Sequence, residues 1–99
     1  MNVILEKDTR EALLENLKKR NKTAVRLSIK GFGWGGPTFG VVLDEQNEND
    51  DSVEVDGIKF IAEKDISFVF DNVKVIHRKG LFGDFFDVYN PDSAGGSCS

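Results

Sequence analysis

The chain has one cysteine, one histidine and two prolines among its 99 residues. A single cysteine excludes a disulfide within the chain and any metal site built from several cysteines of one chain. No apolar run approaches the roughly 18 residues that a membrane helix needs, so we expect no membrane partner. The sequence also lacks a phosphate loop and any ordered catalytic set, and we predict that it is not an enzyme.

The charge balance of the chain restricts the classes of partner that it can bind. Thirteen basic residues face 17 acidic ones, which gives a net charge of −4 and argues against nucleic-acid partners. The chain starts without the basic and apolar stretches of a secretion signal, so we expect a cytoplasmic protein. Its length suits one domain, predicted over residues 1–90, and the small polar residues of 91–99 predict a flexible tail.

Residues 31–40, reading GFGWGGPTFG, hold five of the ten glycines and the only tryptophan. Glycine permits close backbone approach and positive φ, so we predict a special turn between two strands. Trp34 is either exposed on this loop or a plug for a corner of the fold, and both remain open. The spacing matches G-x-G-x-x-G, but Pro37 and a strand-like run follow where a dinucleotide site needs a helix.

Alternating apolar residues predict short strands at residues 3–5, 24–30, 38–44, 53–55, 58–61, 73–78 and 85–89. A first helix is expected from Asp8, with Asp8 as N-cap, Glu11 closing a capping box and Asn21 as C-cap. Residues 62–70 predict a second, short helix. Asp56-Gly57 between alternating runs is typical of a type I′ hairpin turn. The fold class is therefore α+β and mostly β.

Two candidate sites, a calcium loop and a catalytic histidine, are not supported by the residues around them. The acidic run QNENDD at residues 46–51 lacks the central glycine of a calcium loop, and we interpret it as a solvated hairpin loop. His77 lies in an alternating strand, where a structural role is favoured over a catalytic one.

An internal echo supports a two-part architecture. VRLSIKGFGWGGPTFGVVLDE from Val25 and VKVIHRKGLFGDFFDVYNPD from Val73 each read as strand, glycine-containing turn with an aromatic residue, and strand. Two similar halves packed face to face as a β-sandwich would fit, although chance similarity between two hairpins would also explain it.

The sequence resembles the HesB-like domain of the A-type iron–sulfur cluster carriers. The resemblance lies in four successive segments: the glycine-containing segment from Val25, EVDGIKF, a short Lys64-Asp65 segment and an aromatic strand ending in Asn90-Pro91. The resemblance implies a compact β-sandwich of two similar halves with an N-terminal helix, found as homo-oligomers. It also implies a role with iron–sulfur assembly proteins or apo iron–sulfur proteins. In that family three cysteines hold iron or a cluster, one in the glycine loop and two in a Cys-Gly-Cys tail.

The cluster cysteines are largely missing here. Trp34 stands at the loop position, and an ungapped tail places Ser97 and Ser99 at the cysteine positions, with Cys98 at the glycine. With one extra residue in the tail, Cys98 becomes the first tail cysteine and the second would follow Ser99.

Three functions stay open. The chain is a carrier with altered metal binding, in which Cys98 holds iron or a cluster shared between subunits. Alternatively it is a metal-free interaction module whose surface is Trp34 with Phe32 and Phe39. In the third reading the natural chain continues past Ser99 with selenocysteine, which forms a redox pair with Cys98.

Overall fold

The computed structural model describes residues 1–34, 36–81 and 83–90. The predicted tail, with Ser97, Cys98 and Ser99, lies outside the described residues. The described elements, in chain order, are β1 (Val3–Leu5), α1 (Lys7–Arg20), β2 (Ala24–Gly33), β3 (Gly36–Asp44), β4 (Asp50–Val55), β5 (Ile58–Glu63), a 3-10 helix (Ser67–Phe70), β6 (Val73–Gly80) and β7 (Gly83–Tyr89). None of these helices is long and apolar enough to cross a membrane.

The strands form two sheets, one of three strands in the order β1-β6-β7 and one of four in the order β3-β2-β5-β4. In the first sheet, β6 pairs in parallel with β1 and antiparallel with β7. In the second, β2 pairs in parallel with β5 and antiparallel with β3. The same three-strand arrangement therefore occurs twice, and the α+β fold of two similar halves is confirmed.

The core lies where the inner faces of both sheets meet each other and α1. Its fully buried members include Leu13 from the helix, Leu27 and Phe60 from the four-stranded sheet, and Val75 from the other. Burial of each such side chain contributes roughly 1.5–3 kcal/mol, which makes this layer the main source of stability. The alternation seen in the sequence marks these inward positions.

The helix begins earlier than its sequence signals predict. Glu6, in an extended conformation, is the N-cap, and no side-chain capping bond forms, so the prediction of Asp8 as N-cap is wrong. Because β1 ends at Leu5, the chain has only Glu6 in which to turn into the helix. The C-cap prediction is confirmed, since Asn21 adopts a left-handed conformation at φ 56° and its N–H donates to the carbonyl of Lys18.

The glycine segment is mostly strand. β2 continues to Gly33 and β3 starts at Gly36, and these two residues pair across the hairpin. One irregularity, between Ile29 and Gly31, shifts the register. The turn predicted between the strands at 24–30 and 38–44 is therefore shorter than the predicted residues 31–37, because glycines inside a hairpin lower strand propensity without preventing the ladder of hydrogen bonds.

The Asp56-Gly57 turn is confirmed, since both residues have positive φ, 51° and 84°. The predicted helix over residues 62–70 is largely wrong. Residues 62 and 63 extend β5, where Glu63 pairs with Asp50 of β4, and only Ser67–Phe70 is helical. Pairing with β4 outweighs the local helix preference of this segment.

Candidate functional site

The tip of the β2–β3 hairpin carries two large aromatic side chains in solvent. Trp34 is 109% exposed and Phe32 is 82% exposed. The flanking pair Gly33 and Gly36 has no side chains that could cover the indole. The structure thus confirms an exposed Trp34 and excludes the corner plug.

Phe39 does not belong to this surface, so its prediction as a loop-surface residue is wrong. Its side chain is half-buried and its ring meets the ring of Phe70 edge-on, with 5.2 Å between centroids. Ile29, its partner across the hairpin, also packs against the core. Phe39 faces inward because it lies on the core side of β3, within the strand predicted over residues 38–44.

The other hairpin has an equivalent tip. Leu81 is 98% exposed and lies between Gly80 and Gly83, which pair as Gly33 and Gly36 do. Sequence reasoning missed Leu81 as a surface residue, because the internal echo counted from Val25 and Val73 aligns it with Gly33, and only the paired glycines of the two hairpins match it with Trp34. Among the described residues, each half of the fold therefore presents a large exposed apolar side chain, Trp34 or Leu81, just after the first glycine of the pair at the end of its hairpin.

The described residues do not supply ligands for a metal. Within residues 1–34, 36–81 and 83–90 no group of three or more His, Cys, Asp or Glu side chains is placed to hold an ion. The Trp34 indole is a hydrogen-bond donor without a lone pair for a metal, whereas iron–sulfur clusters are held by thiolates. The donor set in the described part of the chain therefore does not fit a cluster.

The last described residue lies beside β3. The side-chain amide of Asn90 donates to the carbonyl of Asp71, and the neighbouring Phe70 contacts Phe39. Cys98 follows Asn90 by eight positions, and eight residues of extended chain span at most about 26–29 Å. The segment that leads to Cys98 therefore starts at Asn90, on the side of the domain where Phe70 contacts Phe39.

A polar network ties the second hairpin to the helix. Nε2 of His77 lies 2.9 Å from Oδ1 of Asp84, and the amide of Asn16 donates to Oδ2 of the same carboxylate. The hydrogen bond from His77 holds the pKa of Asp84 below its usual range. The imidazole also lies against the Phe86 ring at 5.4 Å. These contacts agree with the structural role predicted for His77.

The acidic run over residues 46–51 is only partly solvated. Asp50 is buried and accepts two hydrogen bonds from Arg26, and β3 and β4 are not neighbours in their sheet, so the interpretation of this run as a solvated hairpin loop is wrong. The guanidinium, aided by the N–H of Asn47, keeps the pKa of Asp50 below its usual value. Because this carboxylate neutralises an arginine, it is not available as a calcium ligand.

No family model matches the chain. Its sequence is 37% identical over 71 residues to the iron–sulfur cluster insertion protein ErpA of Alcanivorax borkumensis, an alignment that covers 71% of this chain and 60% of that protein. The chain thus spans about three fifths of the length of this relative. An ErpA of Marinobacter nauticus is 31% identical over 71 residues, which cover 71% of this chain and 64% of the relative.

Two solved structures share the fold. Escherichia coli SufA, described as involved in the biosynthesis of iron–sulfur clusters, superimposes with a TM-score of 0.67 at 26% identity, over 91% of this chain and 81% of SufA. IscA with a 2Fe–2S cluster gives a TM-score of 0.68 over 91% of this chain and 86% of IscA. At 18% identity the second likeness shows the fold alone.

Proposed function

Since this chain is a HesB-like domain of the A-type iron–sulfur carrier family, with the cluster cysteines largely missing, we propose that it is a cytoplasmic contact protein of iron–sulfur assembly with altered metal binding. The observation that carries this proposal is the full exposure of Trp34 at the hairpin tip. The resemblance places a cluster cysteine at that position, and an indole replaces the thiolate with an apolar contact.

An exposed tryptophan favours a binding role on energetic grounds. Tryptophan is enriched among the few interface residues whose truncation costs 2 kcal/mol or more, because it buries a large area at low entropic cost. The hairpin presents Trp34 and Phe32 together, away from the core. Assembly proteins and apo iron–sulfur proteins are the partners proposed for this tip, and homo-oligomers are the proposed state of the chain.

Carriage of iron or a cluster as cargo is the second candidate. Clusters take about four ligands, and one chain offers a single thiol, so Cys98 would act with a second subunit or an external thiol. The observation behind this candidate is that Cys98 is the only cysteine of the sequence and stands in the tail, where the resemblance places two of the three cluster cysteines. The protein acts in either case by contact or transfer and not as an enzyme.

Trp34 is itself the reporter for the first candidate, because it is the only tryptophan. The protein would be titrated with an apo-ferredoxin that contains no tryptophan, and the emission and acrylamide quenching of Trp34 would be followed. We expect a saturable blue shift and reduced quenching, because the indole leaves water on binding.

Two variants distinguish binding at the hairpin tip from non-specific binding to any exposed apolar side chain. Because Trp34→Ser removes the only tryptophan, the affinities of the variants are measured by calorimetry, and Trp34→Ser should bind about tenfold more weakly or worse, as expected for an interface tryptophan. Phe68→Ser serves as the matched control, since Phe68 is also exposed but lies on the 3-10 helix. An unshifted emission together with equal affinities for the two variants would count against the proposed contact.

A further inference from the structure

A groove of about 580 Å³ lies between β3 and β7, next to the C-terminal turn of α1. β3 and β7 are each an edge strand of their sheet. The groove follows residues 41–43 of β3, whereas the exposed tip precedes Gly36. At about 3.3 Å per strand residue, the groove and the tip are roughly 20 Å apart. The groove is thus a separate surface from the proposed tip contact.

The floor of the groove is apolar and open to solvent. Val42 from β3 is 51% exposed and Phe85 from β7 is 48% exposed, and both line the groove. A volume of this size is within the range of sites that enclose small ligands or peptide side chains. The floor can therefore receive an apolar side chain between the two strands.

Three cations, Arg20, Lys22 and Lys30, line the same groove. Among the ion pairs of the described residues, none involves these three side chains. Lys22 is close enough to Asp44 to contribute to the lowered pKa of that carboxyl, whose main cause is the hydrogen bond from Arg26. The cations thus remain available to a ligand.

The two acids of the groove are already bound within the domain. Asp84 is held by His77 and Asn16, as described above, and Asp87 accepts a hydrogen bond of 2.6 Å from Nε of Arg78. The free charge of the groove is therefore positive. It lies on a chain whose net charge is −4, so an acidic ligand would be drawn to this groove in preference to the rest of the surface.

Lys30 owes its position to a glycine. A Cβ added at Gly40 would lie 2.9 Å from both Cγ and Cε of Lys30, closer than such atoms approach. The absence of a side chain at position 40 lets the Lys30 stem lie flat across β3. A lysine stem held in this way covers apolar strand surface and carries its ammonium to the groove.

The geometry points to this groove as a binding site for an acidic peptide segment of a partner protein. Carboxylates of the peptide bind Arg20, Lys22 and Lys30, and an apolar side chain between them packs on Val42 and Phe85. Complementary charge orients the peptide and speeds its association, while the apolar contact slows its release. This surface adds a second partner contact to the tip and does not depend on iron.

The test uses a fluorescein-labelled peptide, Gly-Asp-Asp-Leu-Asp-Asp-Leu-Asp-Asp-Gly, and its anisotropy with the full chain at low and high salt. We expect saturable binding that weakens with salt. The triple variant Arg20→Gln, Lys22→Gln, Lys30→Gln should bind about tenfold more weakly, as the loss of three exposed ion pairs predicts. The matched variant Lys7→Gln, Lys59→Gln, Lys64→Gln removes the same charge elsewhere and should change affinity less than about twofold.

The apolar contact of the proposed site is tested by a separate experiment. A peptide with serine in place of both leucines, and the variant Val42→Ser with the original peptide, should each bind several-fold more weakly. The proposal fails if wild type does not bind the peptide or if both triple variants lose affinity equally. It also fails if the serine peptide, or an oligonucleotide of equal charge, binds as tightly as the leucine peptide, since the groove would then attract any polyanion.

Discussion

The guanidinium of Arg26 donates two hydrogen bonds of 2.7 Å to the carboxylate oxygens of Asp50, whose side chain has no exposed surface. Its Nε donates a third, also of 2.7 Å, to Asp44. Arg26 on β2 thereby joins the end of β3 to the start of β4. The bidentate geometry is the one in which an arginine–carboxylate pair is strongest.

Removal of Asp50 should destabilise the domain. Asp50→Ala leaves the largely buried Arg26 without its main partner, and breaking such a pair typically costs about 3–5 kcal/mol. The free energy of unfolding, measured by urea denaturation, should fall by about 3 kcal/mol. Glu48→Ala, in the exposed part of the same acidic run, is the control and should stay within about 0.5 kcal/mol of wild type. A loss below about 1 kcal/mol for Asp50→Ala would show that the pair contributes little.

The ion pair of Arg26 with Asp50 predicts that the stability of the domain depends on pH. Hydrogen bonds from Arg26 hold the pKa of Asp50, and that of Asp44, below the ordinary value of 3.8. The folded state therefore binds these protons less readily than the unfolded state. This contribution is complete above about pH 5 and is lost as the pH falls through the lowered pKa values. Urea midpoints measured from pH 7 downward should fall less steeply in Asp50→Asn than in wild type, and equal slopes would refute the linkage.

The hairpin turn at Gly57 should be sensitive to a side chain. Gly57 has φ 84°, and an L-residue in the left-handed region costs roughly 1–2 kcal/mol. Gly57→Ala should lower the free energy of unfolding by about that amount. Gly33→Ala is the matched control, since a Cβ at residue 33 meets nothing within 4 Å, and it should be nearly neutral. Equal losses in thermal or urea unfolding would contradict the assigned turn.

Trp34 should contribute nothing to stability. Its side chain is fully exposed, so Trp34→Ser should change the free energy of unfolding by less than about 0.5 kcal/mol. Wild-type fluorescence should show the emission maximum of a free indole in water and full access to acrylamide. A blue-shifted emission in the isolated protein, or a stability loss of several kcal/mol, would mean that the indole is buried.

Local signals in the sequence account for much of the fold. The pair Asp56-Gly57 predicts its turn, because few other residue pairs accept positive φ at both positions. The repeated strand–turn–strand pattern that starts at Val25 and at Val73 indicates two similar halves before any contact is known. The α+β class follows from this level of information, whereas the exposure of Trp34 does not, because the sequence leaves an exposed loop residue and a corner plug both open.

Contacts between residues that are far apart in the sequence cannot be predicted from such local signals. Asp50 lies in a run of polar residues, and its burial depends on Arg26, 24 positions earlier. Phe39 lies near the start of a predicted strand that follows the glycines, and only its packing on Phe70 shows that its face of the strand is the core face. The groove is assembled from α1, Lys22 after it, Lys30 of β2, β3 and β7, so its charge could not be derived from any one segment.

The iron and acid-labile sulfide content of anaerobically purified protein is the most direct test of the central claim, that the hairpin tip offers a contact surface in place of a thiolate. Three proteins would be compared: wild type, Cys98→Ser and Trp34→Cys. We expect no iron or sulfide in Cys98→Ser, because the described residues supply no ligand set. Trp34→Cys should bind more iron than wild type, since it returns a thiolate to the tip. Iron and sulfide retained in Cys98→Ser, or no gain in Trp34→Cys, would contradict the account.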